Sequence, residues 1–286
     1  MTPTHTKNKP RTSTSAHVHR DLNLVTPLLP GPDVRELQEG CQALCDHYEF
    51  DWLGLKQDGE YGKRTARRAA FCMELIGIEQ ELCDRARKTG HISELNQRYL
   101  RNPEKRGKDE RAREENRRPH FKKLRQEHRK GLNEAVEFML KHKGVNEQPD
   151  SSNHGPFPID ECQAWFGLSG VPWCGCAVGY SIEKVAGLGK TGTWWPHAAF
   201  IRADAEGGRN GLEDINPANA TLGCIGTLFN GGDDHVVFVR GDVRNGVVPT
   251  VEGNTSSALQ DADGGIIETK ERPTGEFTCM ARLTLH

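Results

Sequence analysis

The 286-residue sequence lacks any apolar segment long enough to cross a bilayer, which takes about 20 consecutive apolar residues. Its N-terminal segment, MTPTHTKNKPRTSTSAHVHRDLNL, has basic residues but no apolar stretch behind them, so we predict no secretory signal peptide. Residues 1–27 are interpreted as a disordered polar tail. With 27% charged residues and a mean hydropathy of -0.69, the composition predicts a soluble protein without membrane insertion.

The sequence also lacks paired CxxC motifs at zinc-finger spacing, which argues against a structural zinc site. Its nine cysteines are an odd number in a large chain with no predicted export signal, so we expect reduced thiols rather than a disulfide framework.

Charge is unevenly distributed, and the most basic segment has few apolar residues. Residues 98–130 hold 14 Lys/Arg against 6 Asp/Glu, whereas residues 150–286 hold 9 against 17. Residues 91–130 are interpreted as a basic, solvated linker, either helical or disordered; an anchor for polyanions is the alternative. Aromatic residues for base stacking are sparse there, and no zinc-finger or RNA-binding signature occurs, so we predict no nucleic-acid partner.

Residues 28–90 show two helical patterns separated by a turn. Apolar positions from Val34 to Leu44 follow helical spacing after a predicted N-cap at Asp33, and a second helix is predicted from Thr65. The pieces GPDVRELQ at 31–38 and DGEYGKRTARRA at 58–69 resemble the peptidoglycan-binding type 1 family. That resemblance implies a small three-helix wall-binding module, for which the basic linker would add contacts to anionic wall polymers.

Residues 131–286 predict an α+β domain. GLNEAVEFMLKHKG at 131–144 has the apolar stripe of an amphipathic helix, and PWCGCAVGYSIEKVAG predicts a buried helix. HVVFVRGD and NGVVPTVEGN predict strands joined by a turn at Asn245-Gly246, and two further strands follow. Helices followed by an antiparallel sheet are typical of the α+β class.

Four residues of this domain suggest nucleophilic catalysis: Cys174, His235, Glu252 and Asn254. Pro172 places Cys174 in the first turn of its predicted helix, where free N–H groups stabilise a thiolate. His235 opens an apolar strand and is the best candidate base. On the next strand, the two-residue period puts Thr250, Glu252 and Asn254 on one face, where the carboxylate or the amide would orient His235. Taken singly, each residue is more often structural than catalytic, and the joint pattern carries the prediction.

The segments VPWCGCAVGYSIEKVAG, DDHVVFV and VEGNTSS resemble the three conserved blocks of the CHAP family of cysteine, histidine-dependent amidohydrolases/peptidases. The resemblance implies a papain-like fold over about 131–286 and cleavage of amide bonds in peptidoglycan. It implies Cys174 as nucleophile, His235 as base, and Glu252 with Asn254 as orienting partners. Residues 188–233 match poorly and are interpreted as a substrate-shaping loop.

Alternatives remain within the site. Cys176 is a rival nucleophile, although it would point about 200° round the helix from Cys174. His197 is a rival base without a following carboxylate strand. Asp160 and Glu161 are too few acidic residues for a calcium site, so we expect no metal and no cofactor. Asp233 and Asp234 are interpreted as a solvated turn.

The combined modules resemble a bacteriophage endolysin, which would stay in the host cytoplasm until release and then act on the cell wall, causing lysis. The alternatives are a virion-associated or bacterial wall-remodelling hydrolase, and a non-catalytic wall-binding or tail structural protein.

Overall fold

The computed structural model describes residues 22–23, 29–50, 57–188, 196–230, 233–256 and 264–284. Two main hydrophobic cores lie within them, one among the helices of the N-terminal half and one between helices and a sheet in the C-terminal half. The predicted tail lies mostly outside the described residues. Leu22 is an exception, because it is buried and forms an antiparallel bridge with Ile92.

The described part of the N-terminal half contains four helices and a two-stranded sheet. The helices are α1 (Pro32–His47), α2 (Lys63–Leu75), α3 (Gln80–Thr89) and α4 (Glu94–Arg101), and the strands are β1 (Leu29–Pro30) and β2 (Glu60–Tyr61). The predicted helical spacing is confirmed, since Val34, Leu37, Cys41 and Leu44 are all buried in this core.

Both predicted N-caps in this half are wrong. Glycines take the N-cap positions: Gly31 precedes α1 and Gly62 precedes α2. Thr65 instead lies inside α2, where its hydroxyl donates to the Glu60 carbonyl and accepts from the Gln38 amide. Gln38 also accepts a hydrogen bond from the Gly59 N–H, so a buried amide holds the turn that precedes α2.

The basic segment 91–130 is helical in the structure. It contains α4 and most of α5 (Lys108–Lys141), which passes residue 131 without interruption and ends shortly before Gly144. Arg106, Arg113 and Arg117 donate to backbone carbonyls at and just beyond the end of α2, where a helix leaves acceptors unpaired. Part of the basic charge therefore serves the fold. None of the described helices has the length and hydropathy to cross a membrane.

The C-terminal half combines helices with a six-stranded antiparallel sheet, as the predicted α+β class requires. The helices are α6 (Ile159–Trp165), α7 (Cys174–Tyr180), which continues as a π-helical turn (Ser181–Val185), and α8 (Ala198–Gly207). The strand order is β3-β8-β4-β5-β6-β7, with β3 (Leu212–Asp214), β4 (Ile225–Asn230), β5 (Asp233–Val239), β6 (Val247–Thr255), β7 (Ile266–Pro273) and β8 (Phe277–Leu283).

The connections around β5 position the site. The turn at Asn245-Gly246 is confirmed: both residues have positive φ, 52° and 74°, as a tight hairpin turn requires. Asp233 and Asp234 were predicted as a turn but belong to β5, where their backbones pair with β4. Helix α7 packs against β5 and β6, which brings the start of the helix to the strands that carry His235 and Glu252.

The two halves meet through arginines of α2. Arg64 donates to the Ala205 carbonyl and Arg67 to the Gly208 carbonyl, so both arginines contact the C-terminal end of α8. Arg68 forms a buried ion pair with Glu213 of β3, at 3.0 Å. These contacts attach the helical half directly to the helix that follows Pro196 and His197.

Candidate active site

Cys174 is the first residue of α7 and lines a groove of about 490 Å³. The preceding Trp173 is fully buried and donates its indole N–H to Glu147 Oε1 at 2.8 Å. Gly253 of β6 lies so close that an added Cβ would stand 2.6 Å from the Trp173 ring. The start of α7 is thus held by Trp173, Glu147 and Gly253. The predicted position of Cys174 in the first turn of its helix is confirmed.

His235 lies on β5 between Cys174 and Glu252 and is buried. Its Nε2 is 3.1 Å from Glu252 Oε2, which leaves Nδ1 for the hydrogen bond with Cys174. Burial by itself would lower the pKa of His235, but Cys174 and Glu252 outweigh it and raise the pKa to about 9.

The Cys174 thiol is affected by the same pairing. Burial would raise its pKa, but His235 and backbone hydrogen bonds with Val236 and Gly175 outweigh burial and lower the pKa below its ordinary value. The structure therefore favours a thiolate–imidazolium pair over a neutral thiol and imidazole.

Glu252 is fully buried and saturated with hydrogen bonds. Its oxygens contact His235, the Thr250 hydroxyl at 2.6 Å, the Thr255 hydroxyl at 3.3 Å, and Arg272 through two bonds of 2.9 and 2.8 Å. Burial would raise its pKa, but Arg272 and His235 hold the pKa far below its usual range. Glu252 is thus a fixed negative charge behind His235.

Asn254, predicted beside Glu252, takes a different position. The strand register shifts between Glu252 and Thr255, and Asn254 has a positive φ of 54°. This bulge breaks the two-residue alternation on which the prediction depended. Asn254 is buried and its Oδ1 has no hydrogen-bond partner within the described structure, whereas Glu252 contacts His235.

The two rival residues lie in different surroundings. Cys176 is fully buried in the core and burial raises its pKa to about 12, which makes it a poor nucleophile. His197 is exposed on the groove wall, where its ring contacts Phe200 edge-on. Among the described contacts of His197 there is no carboxylate, so it lacks the orienting partner that His235 has.

The rest of the groove is lined from two sides. Leu168, Val171 and Pro172 precede Cys174. The segment predicted to shape the substrate site lines the groove with Pro196, His197, Ala198, Ala199, Arg202 and Phe229. Residues 189–195 and 231–232 of that segment lie outside the described residues. Phe229 is 65% exposed on the groove wall.

Sequence reasoning did not identify two residues that support the site, Arg272 and Glu147. Arg272 lies in the alternating charged strand IIETKERP, a pattern that indicates a solvated edge strand. Glu147 lies between α5 and α6, in a segment whose sequence indicates only a loop. The one sequence signal for Arg272 was the two-residue period of a strand. It places Lys270 and Arg272 on the same face of β7, which is buried in the structure.

The described residues contain no group of three or more His, Cys, Asp or Glu side chains able to hold a metal ion. Asp160, considered for calcium, instead accepts hydrogen bonds from the Gly155 N–H and contacts the His154 ring.

Comparison with known proteins adds one distant likeness. No protein-family model matches the sequence, and no curated protein matches it. Among solved structures, the wild-type endolysin LysIME-EF1 aligns with a TM-score of 0.33 and 12% identity, over 54% of this chain and 65% of that one. This chain therefore spans slightly less than two thirds of that structure's length, and the functional argument rests on the site's own chemistry.

Proposed function

We propose that this chain is a cysteine-dependent peptidoglycan hydrolase, an N-acetylmuramoyl-L-alanine amidase or a peptidoglycan endopeptidase, with a papain-like CHAP catalytic domain. One observation carries the proposal: Cys174, His235 and Glu252 form a connected buried chain that opens on a groove at Cys174. A nucleophile, a base and an orienting carboxylate in this order are what acyl transfer requires.

The reaction would proceed in two balanced steps. The Cys174 thiolate attacks the amide carbonyl carbon, the His235 imidazolium gives its proton to the leaving nitrogen, and the C–N bond breaks to leave a thioester. Neutral His235 then takes a proton from water, the hydroxide attacks the thioester, and the carboxylic product leaves as the thiolate reforms. The Cys174 backbone N–H, at the start of α7, is the candidate donor to the oxyanion.

The proposal is tested by clearing of purified cell walls. We expect Cys174→Ala to abolish clearing, because no other described cysteine lines the groove. Cys176→Ala is the matched control: it also removes a buried thiol from α7, yet we expect it to keep most of the activity once folding is verified by circular dichroism. Clearing by Cys174→Ala at the wild-type rate would contradict the proposal.

The bond that is cut is a separate question. Mass spectrometry of digested walls separates the two activities, because an amidase frees complete stem peptides from the glycan and an endopeptidase leaves part of each peptide attached. Either product supports the proposal, and intact walls after incubation with the folded protein would contradict it.

We further propose that the chain acts as a phage endolysin: it would stay in the host cytoplasm until a separate phage protein opens the membrane, and then lyse the cell. The motif 58–69 supports a wall-binding role for the N-terminal half. Sedimentation of the inactive Cys174→Ala chain with purified walls tests binding apart from catalysis. A chain that remains in the supernatant would contradict the wall-binding role.

A further inference from the structure

Arg272 is an unusual residue for the last strand of a sheet. Strand β7 is at the sheet edge, yet the Arg272 side chain is only 6% exposed. Its Nε bonds Glu252 Oε1 at 2.9 Å and its terminal nitrogen bonds Glu252 Oε2 at 2.8 Å. A buried arginine placed in a two-bond fork against one carboxylate fixes the plane of that carboxylate as well as its charge.

The fork determines where each oxygen of Glu252 points. Oε1 receives Arg272 and the Thr250 hydroxyl, and Oε2 receives Arg272, His235 and Thr255. Rotation of the carboxylate would break several of these bonds at once. The orientation of Oε2 towards the His235 ring therefore depends on a residue of the edge strand β7 that does not itself line the groove.

From this geometry we propose that Arg272 is a positioning residue of the active site: its two-bond fork holds Glu252 ionised and aimed at His235, and thereby maintains the Cys174–His235 ion pair. The inference rests on the proposed function for its catalytic meaning, but the ion pair can be measured without any substrate.

Charged groups of several elements lie around the Cys174–His235–Glu252–Arg272 network. Lys270 lies on the same buried face of β7 as Arg272, opposite Thr250, and Glu268 pairs with Glu252 in the strand register. His235 faces Cys174 from α7 and Glu252 from β6, and Glu252 faces His235 and Arg272. Arg272 also faces Glu276, at 3.5 Å from the turn after β7. Without Arg272, burial would favour the protonated form of Glu252, His235 would lose its negative partner, and the Cys174 thiol would become harder to ionise.

The test is the pH dependence of Cys174 alkylation by iodoacetamide in the full chain, with Cys174→Ala giving the background from other cysteines. We expect Arg272→Met to raise the apparent pKa of Cys174 by about one unit, which is a tenfold lower alkylation rate at pH values below that pKa. Arg272→Lys keeps the charge but loses the fork, so we expect an intermediate shift. Arg244→Gln, which removes an exposed arginine just before β6 that does not touch Glu252 or its partners, is the control and should match wild type.

A double variant keeps the test decisive if Arg272→Met folds poorly. Glu252→Gln/Arg272→Met removes both buried charges together, and we expect the same alkylation profile as Glu252→Gln alone, because Arg272 acts through Glu252. A folded Arg272→Met with an unchanged or lower Cys174 pKa would overturn the inference, as would a further shift in the double variant. A wild-type chain with the lowered Cys174 pKa that clears no wall would contradict the proposed function and leave this inference standing.

Discussion

Two buried arginine–glutamate pairs in this molecule have opposite electrostatic outcomes. Glu252 receives a two-bond fork from Arg272 together with two hydroxyls and His235, and its pKa is held far below the usual range. Glu213 receives a single 3.0 Å contact from Arg68, and Glu213 Oε1 and Arg68 Nε have no partner in the described structure. Burial raises the pKa of Glu213 more than Arg68 and the neighbouring arginines lower it.

The difference shows that pairing with one arginine does not by itself keep a buried carboxylate ionised. Desolvation is offset only when most lone pairs are satisfied, as at Glu252. In the proposed mechanism, the first pair supplies a fixed negative charge behind His235. The second joins the two halves of the chain, between α2 and β3.

The largest expected contrast is in catalysis. We expect Glu252→Gln to reduce the rate of wall hydrolysis by about 10²–10⁴-fold, because His235 loses the charge that orients it and sustains its protonated form. Glu213→Gln makes the same chemical change at the other pair, and we expect a rate within about threefold of wild type. Initial clearing rates of both variants check this; equal losses would remove the functional distinction between the pairs.

Stability is the next contrast. We expect Glu252→Gln to cost about 3–5 kcal/mol at pH 7, because it leaves Arg272 buried without its charge partner. We expect Glu213→Gln to cost less, because only one contact with Arg68 is lost and the raised pKa of Glu213 already disfavours its ionised form. Urea unfolding, followed by circular dichroism, measures both values. A larger loss in Glu213→Gln than in Glu252→Gln would contradict the ranking.

The same two carboxylates predict opposite pH dependences of stability. Glu252 has a lowered folded-state pKa, so its contribution is present above its unfolded pKa near 4.5 and is lost as the pH falls below it. Glu213 has a raised folded-state pKa, so the folded state binds its proton more tightly and gains stability on acidification through that pKa. Unfolding free energies between pH 3 and 7 should therefore fall less steeply on acidification in Glu252→Gln and more steeply in Glu213→Gln than in wild type.

The last contrast concerns the backbone beside Glu252. The strand that carries Glu252 touches α7 at Gly253, where an added Cβ would approach Trp173 to 2.6 Å and Ala177 to 3.0 Å. We expect Gly253→Ala to cost about 1–3 kcal/mol and to lower activity by moving Cys174 away from His235. Gly241→Ala is the control, because its Cβ would meet only Pro249 at an ordinary 3.5 Å. Thermal unfolding and clearing rates of the two variants test this.

Much of the site follows from local sequence. Pro172 and Trp173 mark the start of the helix that carries Cys174, and the apolar run after His235 marks a central strand. The two-residue period correctly put Thr250 and Glu252 on one face, since their side chains are hydrogen-bonded. These features depend on residues that are adjacent in the sequence, so they can be predicted from the sequence.

The remainder depends on contacts between distant segments. A bulge moves Asn254 out of the expected alternation, and its one local mark in VEGNTSS is Gly253 within the strand, which does not by itself fix where the register shifts. Arg272 looks solvent-exposed in its charged strand until β7 pairs with β6 and brings it to Glu252. Likewise, the sequence of the basic segment allows either helix or disorder. Its arginines gain backbone carbonyl partners only when the end of α2 lies beside them.

The most direct test of the central claim, that a Cys174–His235 ion pair sustained by Glu252 is the active form, is the pH–rate profile of wall hydrolysis. We predict a bell whose acid limb reports formation of the Cys174 thiolate and whose alkaline limb lies near pH 9, where His235 loses its proton. In Glu252→Gln the alkaline limb should move to lower pH, and in Glu213→Gln it should stay in place. An alkaline limb that does not move in Glu252→Gln would contradict the account.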